Sequence, residues 1–296
     1  MLRTIQRSKL TRFLYDICNV QEEVMALIYH YCNPQTFLQI IERKCIWLSS
    51  TNNMNDFAEG EWFISAVKSM LESKQDEYGN EWCNTAWVHF VSNIGPKYIT
   101  CFSKNSDSLS QWRAYAQDGE GVAIGFEDSA LGAEGDSIHT NISPKMSLCL
   151  KDVKYSSAQE IFNELASIAE LARSSDTKEL SNSAFTFSAI CSSLAMLTKN
   201  PAFKEENERR LVYSALVMVK QVDGSVEVMN ALSDIKHRIS NGYLTSYFEL
   251  EFSPADAIKE IVLGPKNKFH NTDISNFLGI NSLGHVKLRR SSATYR

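Results

Sequence analysis

Three polar clusters interrupt apolar stretches of this chain and carry groups able to do chemistry: Tyr29–Tyr31 (YHY), Trp47–Thr51 (WLSST) and Glu205–Arg210 (EENERR). The last is the most informative. In a strand, alternate residues share a face, so Glu206 and Glu208 point the same way if the strand starts before them. Two carboxylates on one face repel, which raises one pKa and suits a site that must stabilise a developing cation. A solvated strand edge with arginine neighbours accounts for the same residues. His30 reads either as a satisfied core histidine or as a ligand contact. Arg113, at the end of Ser110–Arg113 (SQWR), reads either as a buried phosphate or carboxylate clamp or as a helix-surface arginine.

Other chemistries lack their signatures. The sequence holds no G-x-x-x-x-G-K-[ST] phosphate loop, H-E-x-x-H zinc helix, EF-hand loop or G-x-S-x-G nucleophile elbow. No histidine pair or carboxylate set suggests a metal site, so a nuclease using His30 and the glutamates is the weaker enzyme reading. Gly119, Gly121 and Gly125 enter a strand instead of joining a strand to a helix, so they read as a hairpin turn and not a dinucleotide fingerprint. The seven cysteines (Cys18, Cys32, Cys45, Cys83, Cys101, Cys149, Cys191) are too widely spaced for C-x-x-C redox or zinc-knuckle motifs. They read mostly as reduced core thiols.

The elements that must position these groups follow from periodicity and turn chemistry. Residues 26–32 read as a strand, Asn33-Pro34 as a cap and first helical turn, residues 35–43 as a helix and Cys45–Leu48 as a second strand. A polar loop over 49–60 precedes two amphipathic helices marked by Trp62, Phe63, Val67 and Met70, then by Trp82, Ala86 and Phe90. Residues 97–103 read as a strand, Asp107 as the cap of a helix carrying Leu109, Trp112 and Tyr115, and Val122–Phe126 as a strand. The pattern is helical from about 157 to 200. Strands return at 210–217, 243–252 and 258–263. Strands in groups with helices between them argue for an α+β fold, a single domain over 1–296 with a helical insertion at 157–200.

Thirty basic against thirty-five acidic residues leave a net charge of -5, which argues against nucleic-acid binding through a global basic field. The N-terminus is basic but has no signal-peptide core, and no apolar run reaches the roughly 18 residues of a membrane span. The expectation is a cytoplasmic protein with no membrane association.

The clusters, taken with the rest of the chain, resemble the bacterial domain-of-unknown-function family numbered 2971. The matching segments are Tyr29–Tyr31 with Thr36–Leu38, Trp47–Ser49 followed by Asn55 and Asp56, Cys101–Ser103, Ser110–Tyr115 (SQWRAY) and Gly121–Phe126. Further matches are Phe203–Leu211 (FKEENERRL), Tyr247–Leu250, Ile261–Pro265 and Ser291–Arg296. That family name implies no settled activity.

The opening unit is also similar to the start of ADP-ribosyltransferase-fold proteins, including the DNA-modifying toxin type. This resemblance implies a split antiparallel sheet with flanking helices, NAD as substrate, and a first-strand histidine, a second-strand serine and a late glutamate around it. His30, Ser49 and Glu208 match by type and order, and Glu206-Asn207-Glu208 is similar to the E-x-E of some members. Ser49–Thr51 is only like S-T-S, and the helical insertion separates the third element. Cleaving the nicotinamide–ribose bond builds an oxocarbenium ion, which Glu208 would oppose. Glu206 would face the acceptor. His30 would contact a ribose hydroxyl, Ser49 the nicotinamide ribose, Tyr29 or Tyr31 a ring, and Arg113 the pyrophosphate. The implied activity is ADP-ribosyl transfer to a protein or nucleic acid, or NAD hydrolysis, in a toxin or phage-defence role. A noncatalytic nucleotide-binding sensor or interaction module is the competing reading. The sequence leaves the oligomeric state open.

Overall fold

A computed structural model describes residues 27–53, 57–93, 97–173, 179–240 and 242–293. Cys18, Asn55, Asp56 and the stretches 1–26 and 294–296 lie outside the described residues. In chain order the elements are β1 (Leu27–Cys32), α1 (Pro34–Arg43), β2 (Cys45–Ser50), α2 (Phe57–Ser73), α3 (Gln75–Tyr78), α4 (Asn80–Asn93), β3 (Tyr98–Ser103) and α5 (Leu109–Tyr115). There follow β4 (Val122–Glu127), β5 (Leu148–Asp152), β6 (Lys154–Tyr155), α6 (Ala158–Ala172), α7 (Leu180–Leu197), β7 (Thr198–Lys199), β8 (Glu208–Tyr213), β9 (Leu216–Val219) and β10 (Val226–Met229). The chain ends through β11 (Lys236–Ser240), β12 (Tyr243–Glu251), α8 (Pro254–Ala257), β13 (Ile258–Leu263), α9 (Asn271–Ile280) and β14 (Lys287–Arg290).

This α+β chain divides into two compact units, where one domain with an insertion was expected. The helical unit draws on Thr51–Pro96 and Val153–Phe203, the sheet unit on Glu23–Ser50, Lys97–Asp152 and Lys204–Arg296. The expected insertion at 157–200 is therefore half of a unit. Its apolar stripes need facing stripes, and α2 and α4 supply them. Phe63, Val67, Met70, Trp82 and Phe90 pack with Ile161, Leu165, Ile168 and Phe187. Trp82 Nε1 donates to Ser183 Oγ at 2.9 Å and Ser188 Oγ to the Ala86 carbonyl at 2.7 Å, tying α7 to α4. Ser157 starts α6 with a capping box to Glu160. Among the described residues, α7 is one helix long and apolar enough to cross a membrane. Serines interrupt its apolar run throughout. Within its unit it buries Ala184, Phe187, Cys191 and Leu194.

In the sheet unit, Asn33 caps α1 as expected, its Oδ1 accepting from the Thr36 amide at 2.8 Å with proline in the first turn. The sheet has ten strands in the order β11-β12-β2-β3-β1-β4-β13-β14, with β8 paired to β3 and β5. It is mixed, because β13 and β14 run parallel while the other pairs are antiparallel. β3 pairs β2 through Ser49↔Ile99 and Ser50↔Tyr98, and β1 through Tyr29↔Ser103. The sheet thus splits along β3. One face buries Ile28, Phe102, Phe126, Leu211, Tyr213, Phe248 and Phe252 with Phe37, Ile40 and Ile41 of α1. The glycine turn is a packing device. A Cβ on Gly121 would sit 2.1 Å from the Cys32 carbonyl oxygen, so only glycine lets the turn approach β1. Cys32, Cys45, Cys83, Cys149 and Cys191 are buried free thiols, as expected.

Candidate functional site

Strand pairing assigns each predicted residue to a face, because partners across a ladder point the same way. Tyr29 pairs Ser103, and Ser103 pairs Glu208, so Tyr29, Tyr31, Ser103, Glu208 and Arg210 share the face opposite the large apolar core. Ser49 pairs Ile99, two alternations from Ser103, and joins them. His30 does not. Its ring meets Phe102 edge-on at 5.9 Å on the core side, and its Nδ1 lies 3.1 Å from the Cys101 carbonyl, which can only accept. Burial pushes its pKa below the ordinary value. The expected meeting of His30 and Glu208 in one cleft is corrected: a one-residue offset on β1 sends them to opposite faces.

The flanking tyrosines are structural, where ring stacking on a ligand was expected. Tyr29, 8% exposed, donates to Glu260 Oε2 at 2.9 Å, and Arg289 and Lys287 bind the same carboxylate. Burial and that carboxylate raise its pKa to about 12. Tyr31 packs edge-on against Trp112 with centroids 4.7 Å apart. Its hydroxyl donates to the Asn105 carbonyl at 2.7 Å and accepts from the Ser108 amide at 3.0 Å. Asp107 is not the side-chain cap of α5. It takes hydrogen bonds from Trp112 Nε1, Ser291 and Ser292 instead, tying the C-terminal tail to the helix. Arg113 lies exposed on α5 and makes no ion pair or hydrogen bond among the described residues, so it is the surface arginine of the two readings.

Glu208 opens β8 and is 5% exposed, as is Arg210. Arg210 Nε donates to Glu208 Oε1 at 2.7 Å and Nη2 to Oε2 at 3.2 Å, a two-point grip between same-face residues. Glu206 is not on the strand. Asn207 has φ +45°, which breaks the extended backbone, and Glu206 ends a 3-10 turn. The expected same-face glutamate pair therefore does not form. The Glu206 carboxylate instead accepts from the Tyr115 hydroxyl at 3.2 Å.

Ser49 lies in a second cluster that sequence reasoning missed. Arg238 Nη2 donates to its hydroxyl at 3.1 Å, and the guanidinium lies 5.2 Å from the Trp47 ring centroid. Trp47 in turn packs on Tyr247 with centroids 4.7 Å apart. Burial lowers the Arg238 pKa. The signal was the alternation of Lys236, Arg238 and Ser240, too short and polar to read as a strand. Between Ser49 and Glu208 lie four residues of β3, roughly 13 Å, and two strand spacings of about 4.8 Å, which places them roughly 16 Å apart. One ribose cannot touch both.

No curated protein and no solved structure matches the chain. Residues 111–211, about a third of it, match a family model described as a protein of unknown function (DUF2971), which takes in Gln111–Tyr115, β4 and the Glu206–Glu208 segment.

Proposed function

We propose that the protein binds a dinucleotide of the NAD class along the sheet face bearing Ser49 and Glu208, and that Glu208 makes it an ADP-ribosyltransferase-like enzyme or NAD glycohydrolase. The observation that carries this reading is a nine-tenths-buried carboxylate, Glu208, on the same face as Ser49 and roughly 16 Å from it. A mononucleotide is too short to reach both; an extended dinucleotide is not. Glu208 is the carboxylate to oppose the oxocarbenium as nicotinamide leaves, with a macromolecule or water as acceptor. Glu206, outside the strand and bonded to Tyr115, is left to face the acceptor. The split of the sheet along β3 agrees with the transferase resemblance.

A second reading, nucleotide binding without turnover in a sensor or interaction module, has its own support. Arg210 already holds both Glu208 oxygens, and His30 lies on the other face. Incubating pure protein with NAD and measuring released nicotinamide decides between them. Release that disappears in Glu208→Gln, after normalising to the folded fraction, supports the enzyme. A thermal shift with NAD but no release supports the module, and neither signal refutes both.

A further inference from the structure

The Ser49 end of this face holds more hydrogen-bond donors than the protein uses. Arg238 Nε is buried with no partner among the described residues, although guanidinium donors that are removed from water normally meet an acceptor. Directly across the ladder is Thr245, 4% exposed, whose Oγ1 is also without a partner among the described residues. Ser49 accepts from Arg238 Nη2 and retains its own hydroxyl hydrogen. Ser49 pairs Tyr247, so Thr245 is its diagonal neighbour on the same face, roughly 7–8 Å away by sheet geometry. Three donors from three adjacent strands thus share one patch.

The charge is unbalanced in the same place. Arg238 makes no ion pair among the described residues. The carboxylate two alternations along β12, Glu249, is bound to Lys236 at 2.5 Å and faces Arg43 at 4.0 Å. A half-buried guanidinium without an anion is unfavourable unless something supplies one. The Trp47 ring centroid lies 5.2 Å from the guanidinium carbon, within cation–π reach, and Nη2 is bonded to Ser49, so two contacts already position the group.

We propose that Arg238, Thr245 and Ser49 form a binding site for a phosphoryl oxyanion of the pyrophosphate kind. A carboxylate would want the Nε and Nη2 donors free in one plane, and Nη2 already shares one of its two hydrogens with Ser49. The buried Nε and the two hydroxyls lie on three separate strands, a spread of donors that suits a tetrahedral group better than a planar one. The site deepens the dinucleotide reading by naming where its phosphates are held, and it rests on that reading only for the ligand's identity.

The test is titration calorimetry and thermal shift with inorganic pyrophosphate and, separately, NAD, on wild type, Thr245→Val and Arg238→Gln. Wild type should gain melting temperature with millimolar-scale pyrophosphate. Thr245→Val keeps the shape and removes an unsatisfied hydroxyl, so the free variant should melt at or above wild type while binding pyrophosphate at least tenfold more weakly. Arg238→Gln should lose binding. Should that variant fail to fold, Thr245→Val decides alone, and unchanged affinity in it overturns the site. A wild type that ignores pyrophosphate but releases nicotinamide from NAD overturns the site and leaves the Glu208 reading standing. Pyrophosphate binding without NAD binding upholds the site and removes the dinucleotide reading.

Discussion

The Glu208–Arg210 pair is the place where a structural and a chemical role can be separated by measurement. Both side chains are 5% exposed and bonded at two points. Removing one partner from a buried pair leaves an uncompensated charge and costs about 3–5 kcal/mol. A folding unit of 150–250 residues loses about 2–4 °C per kcal/mol, so Glu208→Gln and Arg210→Met should each melt about 6–20 °C lower. Glu208→Gln is therefore not silent in the fold, which is why turnover must be normalised to folded protein. Replacing both charges at once, as Glu208→Leu with Arg210→Met, removes the two desolvation costs together and should recover most of the loss. Both residues make further interactions, so the double-mutant cycle, run by chemical denaturation, is what isolates the pair. Single variants within 2 °C of wild type, or a double variant whose loss is the sum of the two, would refute the reasoning.

His30→Ala should cost about 1–3 kcal/mol through the lost Cys101 bond and the void beside Phe102, yet keep any NAD-induced shift; normal stability with a lost shift would put His30 back at a ligand. Burial depresses the His30 pKa, so its contribution is full above the ordinary value near 6.5 and fades as pH falls through the folded value; denaturation of wild type and variant between pH 7 and 5 reads that difference. For Glu260, burial pushes the carboxyl up, but hydrogen bonds from Arg289, Lys287 and Tyr29 outweigh it and the net pKa is lowered. Its stabilisation is therefore complete above the ordinary value near 4.5 and lost as pH falls through the lower folded value, and Glu260→Gln should flatten the dependence of melting temperature on pH below about pH 5; equal slopes would reject it. Tyr31→Phe keeps the ring but strands the Ser108 amide and Asn105 carbonyl, at about 1–3 kcal/mol, and hydrogen exchange over α5 should rise while α6 is unchanged.

Local chemistry was legible in the sequence. Asn33-Pro34 stated where α1 begins, because cap and first-turn proline act within four residues. The apolar spacing of α2, α4, α6 and α7 marked helices, because a 3.6-residue period follows from the helix itself. The strands around His30, Ser49 and Val122 were readable from short apolar runs bounded by turn residues, which are also local signals. Pairing decided everything else. β14 joins the sheet beside β13, and Asp107 meets Ser291 across the chain, through partners that no local pattern names. Whether His30 faces Glu208 depends on register, and one position of slip reverses it. The glutamate pair failed at Asn207, whose positive φ ends the extended backbone just before β8. Arg238 gained significance only when β11 was laid beside β12 and β2, since the side chains that leave its charge unanswered come from other strands.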